Sequence, residues 1–146
     1  MSQMKRIGSR YPEHTVLVAE DDDGLRAALS LCLRERGYDV VEARDGREAL
    51  ARLQRVCGGG FGVIVLDLAM PVMDGWAFLQ ARRASPALAS IPVIVLSDTS
   101  PADPRCRELP VTLQCAKPFR LEYLVALVDT LFESGAAPGP APAGFS

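Results

Sequence analysis

Residues 63–66 read Val-Ile-Val-Leu and run directly into a single carboxylate, Asp67. A turn follows, marked by Pro71 and Asp74-Gly75, and then a helical pattern begins. Consecutive apolar positions rich in Val and Ile predict a strand covered on both faces. Such a strand requires a parallel sheet between two layers of helix. Asp67 therefore stands where a buried parallel strand ends, the edge at which open α/β sheets bind ligands. Aspartate is also a common turn former and helix cap, so this residue alone leaves both roles open.

The rest of the chain repeats the theme. Thr15 to Ala19 is another buried strand, ending in Glu20-Asp21-Asp22-Asp23. Leu25, Ala28, Leu29, Cys32 and Leu33 recur at helical spacing from near Gly24 to a stop at Gly37, with Asp22 or Asp23 placed as the cap. Tyr38 to Ala43 is a more polar strand, followed by the Asp45-Gly46 turn and a helix with Ala49, Leu50 and Leu53 inside. After Gly75 a helix turns Trp76, Phe78 and Leu79 to the core and ends before Pro86; Arg82 and Arg83 read as its solvated face. Ile91 to Leu96 is a further apolar strand, ending in Ser97. Pro101, Pro104 and Pro110 leave room for only about two helical turns between them. Val111 to Ala116 alternates like an edge strand and leads into Lys117-Pro118-Phe119. The last helix stripes Leu121, Leu124, Val125, Val128, Leu131 and Phe132.

Strands alternating with helices, the fourth helix reduced, predict an α/β doubly wound parallel sheet. Right-handed crossovers restrict the strand orders. The flavodoxin-like order 2-1-3-4-5 sets the first and third strands side by side at the switch point. The domain spans residues 14–133. Residues 1–13 read as a flexible N-terminal extension, and the Ala/Pro/Gly stretch 134–146 as a disordered tail.

Hydrophobic residues make up 49% of the chain, which excludes a disordered class. A net charge of -2 without a basic block argues against direct contact with nucleic acid. Cys32, Cys57, Cys106 and Cys115 form no CxxC pair and His14 is the sole histidine, so a zinc site is not expected. The cysteines read as packed thiols in a reducing, cytoplasmic setting. No apolar run approaches the roughly 18 residues that span a membrane.

In a parallel sheet, Glu20, Asp21, Asp67, Ser97 and Lys117 all fall along one edge. Three carboxylates brought together repel one another unless a cation neutralises them. Oxygen ligands favour a hard ion, and Mg²⁺ tolerates a few carboxylates plus waters. A hydroxyl and an ammonium beside an Asp oxygen suit a dianion attached to that oxygen. Together these groups describe an aspartyl phosphate site.

The motifs Val16-Leu17-Val18-Ala19-Glu20-Asp21-Asp22, Val65-Leu66-Asp67 with Met70-Pro71-Val72-Met73-Asp74-Gly75, Pro92 to Ser97, and Lys117-Pro118-Phe119 occur in order. From about Thr15 to Phe132 the chain resembles a receiver domain of bacterial two-component response regulators, of the stand-alone type. The resemblance implies that Asp67 accepts a phosphoryl group from a histidine kinase or phosphotransfer protein. It implies Mg²⁺ held by Asp21, Asp67 and the Ala69 carbonyl, with Glu20 acting through water. Ser97 and Lys117 would contact the phosphoryl group, and Lys117-Pro118 would be cis. Signalling would run through contact with an unidentified downstream protein, and the only catalysis would be on the domain's own phosphoryl group.

This sequence departs from the family pattern at Glu20, where Asp is usual, at Asp98, where a small residue is usual, and at Gln114, where a switching aromatic often stands. The segment between Ser97 and Lys117 is also short. The alternative function is a pseudo-receiver that binds partners without phosphorylation. A phosphatase of the haloacid-dehalogenase type would need an Asp at position 69, which is Ala69. A flavin phosphate would be repelled by Glu20 to Asp23.

Overall fold

A computed structural model of the protein describes residues 14–55, 61–97 and 113–133. Within them β1 (Thr15–Ala19), β2 (Asp39–Ala43), β3 (Val63–Asp67), β4 (Val93–Ser97) and β5 (Leu113–Ala116) form one sheet in the order β2-β1-β3-β4-β5. Every neighbouring pair is parallel. The helices are α1 (Asp23–Glu35), α2 (Gly46–Arg55), α3 (Gly75–Arg82), the four-residue α4 (Pro86–Ala89) and α5 (Leu121–Glu133). The doubly wound fold and strand order expected from the sequence are those observed. The reduced helix expected between Pro101 and Pro110 lies outside the described residues, as do the two terminal segments.

Alternate residues of each strand point to opposite faces. Leu17, Ile64, Leu66 and Val95 pack on one face with Leu53 and Phe78. Val16, Val18, Val65, Ile94 and Leu96 pack on the other with Leu29, Leu33, Leu124 and Val128. A strand clad on both sides must be apolar at every position, which is why β1, β3 and β4 read as unbroken runs. Each fully buried Leu or Ile contributes roughly 1.5–3 kcal/mol. The edges differ: β2 is mostly half-buried and β5 alternates.

Local chemistry sets the element ends. Asp22 caps α1, its side chain accepting from the Leu25 N–H at 3.0 Å. Asp45 accepts from the Glu48 N–H at 2.8 Å while Glu48 reaches back to the Arg44 N–H at 2.7 Å, a reciprocal cap on α2. β4 starts at Val93 rather than at Ile91, because Pro92 has no N–H for the ladder. The helix after Gly75 stops at Arg82, and Pro86 opens α4 as a first-turn proline.

One expectation is overturned. Arg83 is exposed, but Arg82 is buried, 3% accessible. Its Nη2 donates to the Ala89 carbonyl at 3.0 Å and the Ile91 carbonyl at 2.9 Å. Burial, with Arg83 adding repulsion, lowers its pKa. Arg82 lies on the same helix face as Phe78 and Leu79, and the end of α4 and the residues after it bring the Ala89 and Ile91 carbonyls to it. Arg82→Met keeps the aliphatic stem but removes the donors. Urea unfolding should show a loss of about 1–3 kcal/mol, while Arg83→Met stays within roughly 0.5 kcal/mol. Equal midpoints for the two variants would show that the buried carbonyls find other donors.

Candidate functional site

The sheet gathers the reactive side chains at the C-terminal ends of its strands. β1 pairs with β3 in register from Val16↔Val63 to Ala19↔Leu66, so Glu20 and Asp67 emerge side by side. From β1 the chain passes to β2 on one side and then to β3 on the other, which makes this the switch point. β4 adds Ser97, and β5, in register at Ser97↔Ala116, delivers Lys117.

Glu20 is fully buried, and Asp67 and Ser97 are 2% and 8% accessible. Asp21 is exposed at the rim. One oxygen from each of Glu20, Asp21 and Asp67 lies within 4.8 Å of the others. Lys117 Nζ stands 3.1 Å from Glu20 Oε1 and 3.4 Å from Asp67 Oδ2. Asp67 Oδ1 accepts from the Ala69 N–H at 3.1 Å, and Glu20 Oε2 from the Asp22 N–H at 3.1 Å. The Lys117–Pro118 peptide is cis, and the Lys117 N–H donates to the Ser97 carbonyl at 3.0 Å.

Burial, reinforced by Asp67, pushes the Glu20 carboxyl up to about 7. Burial also raises Asp67, against the pull of the Ala69 N–H and Lys117. For Lys117, desolvation works downward but the two carboxylates outweigh it, so its pKa rises. Three acids thus face one ammonium. Glu20 Oε1 is buried and accepts no hydrogen bond among the described residues, its ion-pair partner being Lys117. An all-oxygen set with an exposed member open to water fits a hard divalent cation.

The loop from Asp67 to α3 is tightly tied. The Gly75 N–H donates to the Leu68 carbonyl at 2.9 Å, and the Gly46 N–H, from α2, to the Met73 carbonyl at 2.8 Å. Inside the loop the Met73 N–H reaches the Pro71 carbonyl at 2.7 Å with Val72 at φ 66°. This is a three-residue γ-turn of the rarer hand.

The structure brings Glu20, Asp21, Asp67 and Lys117 together, with Ser97 at the adjacent strand end and Ala69 beside Asp67. Asp22 and Asp74 cap α1 and α3, as their turn positions suggested, while Asp23, the other cap candidate, is the first residue of α1 and pairs with Arg26 at 2.6 Å. Gln114 is exposed on β5, and Asp98 lies outside the described residues. Sequence reasoning missed Arg26. Its Nη1 donates to the Glu20 carbonyl at 2.8 Å and its Nε to Glu42 at 3.2 Å, fastening the acidic strand end to α1 and β2. A cation one turn after an acidic strand end was the available signal.

Comparison with known proteins bears on this arrangement. The profile of the response regulator receiver domain matches residues 16–129. The transcriptional regulatory protein PrrA of Mycobacterium tuberculosis is 40% identical over 118 residues, 80% of this chain and 48% of that protein. The chemotaxis response regulator CheY4 of Vibrio cholerae superposes with a TM-score of 0.72 at 34% identity, over 80% of this chain and 97% of that one. The response regulator TrrA of Thermotoga maritima, solved in complex with Mg²⁺-BeF, gives 0.68 at 25% identity, over 80% and 97%. The chain spans about half or less of the length of the curated relatives it matches. With the profile covering most of its length and the acidic strand ends in register, the chain belongs to the response regulator receiver domain family.

Proposed function

We propose that this chain is the phosphoacceptor of a cytoplasmic two-component phosphorelay. Asp67 takes a phosphoryl group from the phosphohistidine of a histidine kinase or phosphotransfer protein, and the phosphorylated form acts by binding a downstream protein. The observation that carries this reading is Lys117 Nζ, 3.4 Å from Asp67 Oδ2, beside the acidic cluster. A carboxylate oxygen of Asp67 attacks phosphorus, and the P–N bond breaks with its electron pair returning to the donor imidazole. Lys117 then shifts from balancing carboxylates to balancing the phosphoryl group, and the Ser97 hydroxyl donates to a phosphoryl oxygen. Asp21, Asp67 and the Ala69 carbonyl would hold Mg²⁺ directly and Glu20 through water. The ion would neutralise charge on the transferring group. TrrA, solved with Mg²⁺-BeF, supports that choice of metal. No other substrate is turned over. The full set of Asp67, Lys117 and the acidic pair favours this reading over a pseudo-receiver.

Incubation with acetyl phosphate and Mg²⁺ should add one phosphoryl mass to the wild type and none to Asp67→Asn. An unmodified wild type would leave the pseudo-receiver.

The metal-free protein should show the raised Glu20 pKa in its stability. The ordinary value is 4.5 and the folded value about 7. Between them the native state binds more protons than the unfolded chain, so stability falls as pH rises through that window. Melting temperatures should drop from about pH 5 to about pH 8 without Mg²⁺, and added Mg²⁺ should recover more at the higher pH. Glu20→Gln should flatten the pH trend, and Asp21→Ala should abolish the recovery.

The phosphorylated form should be long-lived, because Ala69 offers no side chain to orient an attacking water. Ala69→Asn should shorten its half-life by roughly tenfold, followed as decay of the added mass. An unchanged half-life would mean that water orientation at this position is not limiting.

A further inference from the structure

We propose that Gly46, on α2 and outside the acidic cluster, is a positioning residue for the metal site: by holding the β3–α3 loop it sets the place of the Ala69 carbonyl. The proposal rests on the Mg²⁺ reading above. The Gly46 N–H donates to the Met73 carbonyl at 2.8 Å. A Cβ at position 46 would stand 2.4 Å from that carbonyl oxygen and 2.9 Å from Met73 Cγ. Carbon and carbonyl oxygen rest at about 3.3 Å, so any side chain here drives Met73 back by roughly 1 Å.

The loop has no slack to absorb that movement. Its far end is closed by Gly75, where a Cβ would meet the Asp67 carbonyl oxygen at 2.6 Å and Leu68 Cα at 2.7 Å. Between the two ends, Val72 sits at φ 66° in its γ-turn. A β-branched residue tolerates that conformation poorly, and it persists only where the surroundings over-determine it. Val72 is 74% exposed, so the packing of its own side chain does not hold the turn. The hold comes from the two glycine-lined ends. The Ala69 N–H is fixed on Asp67 Oδ1 at 3.1 Å, so opening the turn at Met73 is taken up by the peptide planes between these two points, the first of which carries the Ala69 carbonyl.

Mg²⁺ demands near-ideal octahedral bonds of about 2.1 Å, whereas Ca²⁺ accepts about 2.3–2.6 Å and a variable ligand count. A displaced carbonyl therefore shows as lost selectivity, and simple destabilisation would not. Mg²⁺ and Ca²⁺ are titrated by calorimetry into the wild type, Gly46→Ala and Val72→Pro, with thermal melts alongside. Proline excludes a positive φ, and position 72 is exposed, so the second variant opens the same turn without touching α2 or the core. In both variants the Kd for Mg²⁺ should rise about tenfold, and that for Ca²⁺ should change less than about twofold. Unchanged Mg²⁺ affinity in a folded Gly46→Ala, or equal weakening of both ions, overturns the proposal. If Gly46→Ala does not fold, Val72→Pro decides by the same criteria. A wild type that binds neither ion overturns the Mg²⁺ reading and this inference with it, whereas a wild type that binds Mg²⁺ beside variants of unaltered selectivity overturns the inference alone.

Discussion

Lys117 Nζ stands between two buried carboxylates, 3.1 Å from Glu20 and 3.4 Å from Asp67, with Asp21 at the rim. One ammonium cannot balance three acids. Burial, reinforced by Asp67, lifts the Glu20 carboxyl to about 7, and the two carboxylates raise the Lys117 pKa against its own desolvation. Burying such charges costs more than their attraction returns unless every one is compensated. The fold therefore carries a standing electrostatic cost at this edge, and the apolar core on both faces of the sheet offsets it. The same field favours a divalent cation, which is why the site's chemistry and its instability have one origin.

Position is what turns the cluster into a site. Glu20, Asp67, Ser97 and Lys117 are each fixed by a strand end in a parallel sheet whose registers leave no freedom to slide, because a one-residue slip would turn buried side chains to the wrong face. Around that frame, short polar contacts hold the loops: Arg26 on the Glu20 carbonyl, the Lys117 N–H on the Ser97 carbonyl, and Gly46 and Gly75 on the loop after Asp67. Local costs accumulate here as well. The γ-turn at Val72 and the buried guanidinium of Arg82 are both unfavourable alone, and both are stabilised by what folds against them.

The site could be read from the chain in part. Asp67 alone leaves a turn role open, and it is the acidic run after Ala19, at the end of a second buried strand, that marks this edge as a site. Lys117 is harder, because an isolated Lys-Pro after an alternating stretch reads as an edge turn until the strand order is known. Arg82 carries two opposed signals: its charge suggests solvent, while its helical phase with Phe78 and Leu79 places it inside, where it is found. Arg26, one turn after the acidic strand end, offered a faint signal, whereas Gly46 carried none, because a hydrogen bond to a backbone carbonyl in another element leaves no trace in local spacing.

Read without any fold, the chain already specifies the layered parallel sheet, its strands, the capping of its helices and the acids at its edge. All of these follow from periodicity and turn chemistry, which act over a few neighbouring residues. Only the packed fold sets the 3.1 Å and 3.4 Å pairings of Lys117, the burial that lifts Glu20, the carbonyls that Arg82 finds at Ala89 and Ile91, and the grip of Gly46 on Met73. Those depend on which groups distant in the chain come within hydrogen-bonding range, and on how much water the packed helices exclude around them. Neither quantity is a property of any segment alone.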